Sequence, residues 1–215
     1  MKIKKISPFG IKLIKTVIHL ASLFTLVYFY LLIDSQRLGA DPVKEMIHFL
    51  GKTGLNYLLL TLSITPLCKH FKQPLLNCLK RVLGLYSFAW ITLHLTAFLW
   101  LELNWEISLL LTEVIKRPYL TLGMLAWFIL LLLSITSITA IKQKMKRSWI
   151  LLHRWVYVAL FAGSIHYYWS VKSGLIEPTI YLIISFFLLR ERRAFFKSVI
   201  SRTINMLKVK YPNKT

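Results

Sequence analysis

Val82–Leu101 reads VLGLYSFAWITLHLTAFLWL, an uncharged stretch interrupted by a single histidine at position 94. A bilayer-spanning helix needs about 20 mostly apolar residues at about 1.5 Å each. The apolar residues run all round rather than alternating, which favours a helix over a barrel strand. Lipid leaves only those two choices, because backbone polar groups must be satisfied internally. Working outward, similar stretches occur at Leu13–Ile33, Met46–Leu67, Tyr119–Ile141, Trp149–Ser170 and Leu175–Leu189, the last being the shortest. The expected fold class is all-α, an integral membrane bundle of six transmembrane helices. Such a bundle uses up the length and leaves no room for a separate soluble domain.

Composition agrees. Of 215 residues, 56% are hydrophobic and 17% charged, with mean hydropathy +0.59. A soluble domain carries about a quarter charged residues, so disordered, collagen-like and ordinary soluble chains are excluded. Lys and Arg number 28 against 8 acids, a net charge of +20. Nucleic-acid binding is excluded as its cause, since basic nucleic-acid binders do not carry long apolar runs. Placement explains it better. With the N-terminus in the cytoplasm, all but Arg37, Lys44, Lys52, Lys116, Arg117 and Lys172 of the cations fall inside, and every acid except Glu191 falls outside. The positive-inside rule then puts both termini in the cytoplasm, and the surplus charge attracts anionic membrane lipid.

Three regions follow: a basic cytoplasmic N-terminus at 1–12, a six-helix domain at 13–189, and a basic amphipathic cytoplasmic tail at 190–215. Lysines before an apolar run also suit a signal peptide. Val17–Ile33 is long for one, however, and no small-x-small cleavage site follows, so a retained first helix is expected. In the tail, Phe195, Phe196, Val199, Ile200, Ile204 and Leu207 recur at three and four residues, as on a membrane-surface helix. The outer loop 102–116 mixes apolar residues with three acids. It is a connector, an interfacial helix or a docking surface. Cys68 and Cys78 form no CxxC pair and read as reduced thiols. No internal repeat is evident, though spans 3 and 5 share a histidine feature.

The histidines carry the functional signal. Ionisable groups within spans are costly and mark function, and a neutral imidazole offers a lone pair to a metal such as haem iron. His94 lies about 12 residues into span 3 and His166 about 16 into span 5, so the two can share a level. His153 stands one turn inside span 5. It is 13 residues, or about 20 Å, from His166, a separation that suits one haem near each leaflet. On a straight helix those two rings point about 140° apart, which asks for a local change, for instance at Ala162-Gly163-Ser164. Lys80, 14 residues before His94, returns near the same face. Lys80 or Arg81 could pair with a haem propionate. His48 is a polar cap, a hydrogen-bond donor to a ligand, or an alternative axial ligand. His19 reads as a hydrogen-bonded core residue and His70 as solvated. Gly84, Gly123 and Gly163 permit close helix approach or room for a flat macrocycle.

Several segments resemble one family. They are GADP at 39–42 with His48-Phe49, RVLGL at 81–85 with His94-Leu95, KRPYLTLG at 116–123, LHRWVY at 152–157 and HYYWSVK at 166–172. In order and spacing they are similar to the MsrQ (formerly YedZ) family. That family is the haem-binding membrane subunit of the bacterial periplasmic methionine-sulfoxide reductase system, within the ferric-reductase-like transmembrane group. The resemblance implies a multi-pass protein of the bacterial inner membrane that binds haem b, one or two, with FMN as a further cofactor whose residues the sequence does not place. It implies electrons taken from the quinone pool or a cytosolic flavin reductase. They would pass to a periplasmic molybdopterin-containing subunit that repairs oxidised proteins. By position, His94, His153 and His166 match the haem-associated histidines, and Lys80 or Arg81 stands where relatives carry a fourth. Catalytic residues for methionine sulfoxide are expected on the other subunit, not here. The alternatives are a non-redox transporter, which would favour interrupted helices and charged midplane residues, and a membrane assembly protein.

Overall fold

The structure is a computed structural model that describes residues 5–35 and 37–190. The described residues form helices and no strand. Helix α1 spans Pro8–Asp34 and α2 Pro42–His70. A 3-10 turn at Pro74–Leu79 leads into α3, Lys80–Leu101. Then come α4 (Ile107–Lys116), α5 (Pro118–Ile135), α6 (Thr139–Met145), α7 (Arg147–His153), α8 (Val156–Ser170) and α9 (Ile176–Arg190).

The helix starts are written locally. Proline occupies the first helical position of α1, α2 and α5, where its missing N–H costs nothing. Ser7 Oγ accepts from Gly10 N at 3.1 Å, and Asp41 Oδ1 from Lys44 N at 3.1 Å, capping α1 and α2.

Four segments are long and apolar enough to cross a membrane: Pro8–Asp34, Pro74–Leu101, Pro118–Ile135 and Arg147–Ser170. Two expected spans rest on weaker helices. Helix α2 has the length, at 29 residues, but its polar content, including Lys44, Glu45, Lys52 and Asn56, lowers its hydropathy. Helix α9 has 15 residues and is short. Helix α1 begins at Pro8, inside the expected N-terminal segment. The tail beyond Arg190 lies outside the described residues.

Two helix pairs build the bundle: α2 packs along α3, and α5 along α8. They meet through α2–α8 and α3–α5 contacts, and α9 lies on α8. Leu55, Leu58 and Leu62 of α2 share one core with Ile129, Leu130 and Leu133 of α5 and Leu160 of α8. A second core joins Ile47, Leu50 and Tyr57 of α2 with Leu83, Trp90 and Ala97 of α3. Polar groups inside are paired. Ser87 Oγ donates to Gly54 O at 2.9 Å, and the Ser164 and Ser185 hydroxyls meet at 2.7 Å. Helix α1 is peripheral: it buries Ile11 and Ser22 while Leu13, Phe24 and Leu31 are exposed. A face of that kind suits lipid.

Two expected spans end or break early. Span 4 was expected to reach Ile141, but α5 stops at Ile135. There Ser137 and Ile138 N–H bond to the Ser134 and Ile135 carbonyls, three residues back, at 3.1 and 3.2 Å, and Ile138 turns extended. Span 5 is not one straight helix. Arg154 and Trp155 N–H bond to Leu151 and Leu152 carbonyls, three residues back, so the chain tightens to 3-10 winding between α7 and α8. The local change expected at Ala162-Gly163-Ser164 is therefore at Arg154-Trp155, and the straight-helix angle between His153 and His166 does not apply.

Candidate functional site

His94 stands on α3 and His166 on α8, one in each helix pair. His94 Nδ1 lies 2.8 Å from Ile47 O, and His166 Nδ1 lies 2.7 Å from Tyr119 O. A carbonyl only accepts, so each Nδ1 carries the proton and each Nε2 keeps its lone pair. No hydrogen bond engages either Nε2 among the described residues. The ring centroids are 6.1 Å apart, with the planes at 77°. Both rings line a cavity of about 260 Å³ between the two helix pairs. Its deep wall is apolar, with Leu55, Leu58, Ala126 and Leu130 among its residues.

The two halves are built alike. A Cβ added at Gly51 of α2 would lie 2.9 Å from His94 Nδ1, and one at Gly123 of α5 would lie 2.9 Å from His166 Nδ1. Each ring thus rests on a glycine of the neighbouring helix and donates to the carbonyl one turn before that glycine. Both His–carbonyl pairs span 47 residues of chain. Ile47, Gly51 and His94 recur as Tyr119, Gly123 and His166 at one constant offset. This is an internal repeat that the sequence reading missed. In sequence only the glycine and the histidine recur, 43 residues apart in each half, and that shared spacing is the signal that would have found it. The same reading left out Gly51 and gave Gly123 close helix approach or room for a macrocycle, not a seat for the His166 ring.

A metal joining two imidazoles through nitrogen takes bonds of about 2.0–2.1 Å. With ring bonds near 1.35 Å, that holds the centroids about 6.3 Å apart. The observed 6.1 Å matches, and the Nδ1 bonds fix both tautomers in the ligating form. The residues present fit a bis-histidine haem. No group of three or more His, Cys, Asp or Glu suited to a metal ion occurs among the described residues.

The other site candidates lie elsewhere. His153 does not line the cavity. Its Nε2 is 3.1 Å from Thr136 Oγ1, and Trp149 stacks on its ring at 3.9 Å. Trp149 Nε1 donates to Thr136 O at 2.9 Å, and Lys142 Nζ sits 4.6 Å above the Trp149 ring. His153 has no ring contact with another histidine among the described residues. The repeat offset places Arg81 at the position equivalent to His153. Lys80 and Arg81 open α3, about 20 Å along the helix from His94, and do not line the cavity. His48 does line it, edge-on to Tyr167 at 6.3 Å. His19 is hydrogen-bonded to Tyr86 Oη at 2.7 Å but exposed, so it is not a core residue. His70 is exposed beside Phe71.

Helix α4 roofs the cavity. Leu110 and Val114 face inward, while Ile107, Leu111 and Ile115 form an exposed stripe. Arg117, which follows it, pairs with Glu113 at 2.6 Å. A hydrogen bond to Tyr119 Oη, and then the charge of Glu113, raise its pKa above the ordinary value.

No solved structure matches the chain. The model of the ferric reductase like transmembrane component family matches residues 49–164, over half of the length. The match takes in Gly51, His94, Gly123 and His153 and stops just before His166. On that match, the chain belongs to the family of ferric reductase like transmembrane components.

Proposed function

We propose that this chain is a haem b electron-transfer subunit of the MsrQ kind, spanning the bacterial inner membrane six times with both termini in the cytoplasm. In this reading it takes electrons from the quinone pool or a cytosolic flavin reductase. It hands them to a periplasmic molybdopterin-containing methionine-sulfoxide reductase, for repair of oxidised proteins. The observation that carries the reading is the pair His94 and His166, with protonated Nδ1 atoms, free Nε2 atoms and centroids 6.1 Å apart in one cavity.

Each residue has a part. His94 and His166, one from each half of the repeat, would hold the haem iron through Nε2. Ile47 and Tyr119 carbonyls orient the rings and raise their basicity. Gly51 and Gly123 leave room for the rings to lie against the neighbouring helices. Leu55, Leu58, Ala126 and Leu130 keep water from the deep wall. Haem held there would supply a one-electron iron couple, its potential set by the ligating side chains and by burial. His153, with Lys80 or Arg81, belongs to an inner position nearer the cytoplasm, and FMN is a further cofactor by family likeness. His48 serves as a polar neighbour of the outer site.

The test is optical. Purified full-length protein should show a Soret band and reduced-minus-oxidised bands of six-coordinate haem b. His94→Ala and His166→Ala should each lose them. A colourless protein that takes up no added haemin, or unchanged spectra in both variants, refutes the reading. Loss of methionine-sulfoxide repair in cells carrying either variant separates the MsrQ role from other electron transfer.

A further inference from the structure

The cavity has a polar end as well as an apolar depth. Lys44, Lys52 and Arg117 line it, with Glu102 the acid among the lining residues. The sequence places these cations on the acid-rich side of the bundle, where cations are few. Half of that side's six cations are thus gathered on one cavity.

Their donors are not used up. Lys44 Nζ has no ion pair among the described residues. Lys52 Nζ spends one contact on Glu177, at 2.7 Å. Arg117 gives Nε to Glu113 and Nη1 to Tyr119 Oη at 3.4 Å, which leaves three of its five N–H groups. Lys44 lies in the first turn of α2 and Arg117 immediately precedes α5. The first turn of α5 holds no acid, so the positive end of its dipole adds to the side-chain charge, whereas that of α2 is met by Asp41 and Glu45. An apolar slot between two imidazoles, with cations from both halves at its mouth, complements a flat apolar ring bearing anions on one edge.

We propose that Lys44, Lys52 and Arg117 form the carboxylate rim of this cavity, holding the two propionates of haem and so fixing how the ring is seated between His94 and His166. This rests on the haem reading above. It moves the propionate role at this site from Lys80 and Arg81, which stand a helix length away, to three residues that the cavity itself presents. Arg117 and Lys44 come from different halves, so one carboxylate falls to each, and Lys52 shares the load on the α2 side. Charge-assisted hydrogen bonds to carboxylate are the strong class.

The experiment titrates the full-length protein in detergent with ferric protoporphyrin IX and, separately, with its dimethyl ester, which keeps the ring and removes the negative charges. The Soret band reads binding and ligation. Wild type should bind the free acid about tenfold or more tighter than the ester. The free-acid affinity alone should fall with added salt. In the triple variant Lys44→Met, Lys52→Met, Arg117→Met, the preference should shrink to about twofold or less, while the ester still gives the bis-imidazole spectrum. Lys172→Met, outside the cavity lining, should keep the full preference. Equal affinity of wild type for both porphyrins overturns the rim, as does a preference that survives the triple substitution. Equal weakening of both porphyrins in the variant also overturns it, because the cations then act on something other than the carboxylates. If the triple variant does not fold, the acid-to-ester ratio and salt response of wild type and of Lys44→Met decide. Failure of wild type to bind either porphyrin fells the haem reading itself, and the rim with it.

Discussion

Replacing Gly51 by alanine tests the site without touching a ligand. The added Cβ would stand 2.9 Å from His94 Nδ1 and 3.1 Å from its Cε1, against an ordinary contact of 3.4 Å or more. The ring must retreat by about 0.5 Å, which stretches the 2.8 Å bond to Ile47 O by up to that much and weakens it. Overpacking of this kind costs about 1–3 kcal/mol. Charged wholly to the oriented ring, that is about a 5- to 150-fold loss of haem affinity. Helix propensity works the other way, since Gly→Ala in a helix gains up to about 1 kcal/mol. The variant should therefore fold as well as wild type and still bind poorly. The assay is a haemin titration of the purified apoprotein followed at the Soret band, alongside thermal unfolding. Gly84→Ala is the control, because its nearest neighbour would be Thr61 Cγ2 at 3.8 Å. Wild-type affinity and spectrum in Gly51→Ala, or an equal defect in Gly84→Ala, would refute the ring-on-glycine argument.

Gly123→Ala should reproduce the Gly51 defect through His166, at similar size, because the two halves share one geometry. The matching titration checks it. His153→Ala should leave the bis-imidazole band of the His94–His166 site intact, since His153 does not line that cavity. Loss of all haem from that variant, measured by spectra and extraction, would contradict the separation of the two positions. Ser164→Ala should destabilise the α8–α9 contact by about 1 kcal/mol by orphaning the buried Ser185 hydroxyl. Ser164→Ala with Ser185→Ala should recover part of this, read as the midpoint of unfolding in detergent. Gly54→Ala should lower thermal stability sharply, because its Cβ would collide with Ile91 Cγ1 and stand 3.0 Å from Ile91 N. Gly39→Ala, facing open space, should change nothing.

The bundle was largely legible. Residues 82–101 announce a buried or lipid-facing helix whatever surrounds them, since an uncharged run of that length cannot stay in water. The interior histidines stood out for the complementary reason, that an imidazole in an apolar span needs a partner. Less legible were the helix ends. Span 4 read to Ile141 because Thr136 and Ser137 are compatible with a helix in composition. Only the backbone shows that the helix stops: Ser137 and Ile138 N–H reach back three residues rather than four, and Ile138 is extended. Span 5 read as one helix because nothing in Arg154-Trp155 forbids it, and propensity is a weak prior against tertiary packing.

The sequence by itself determined which segments are apolar, how the charges are distributed between them, and which side chains inside them can bind a metal. Those are properties of single residues and short windows, and the cost of transfer to lipid acts on them one window at a time. Only the tertiary structure decided that His94 meets His166 rather than His153. It alone set each ring on a glycine and a carbonyl 43 and 47 residues away, and brought Lys44 and Arg117 to one cavity mouth. These are relations between helices distant in sequence. They depend on the rotation and depth at which one packed surface settles against another, which no single window of the chain encodes.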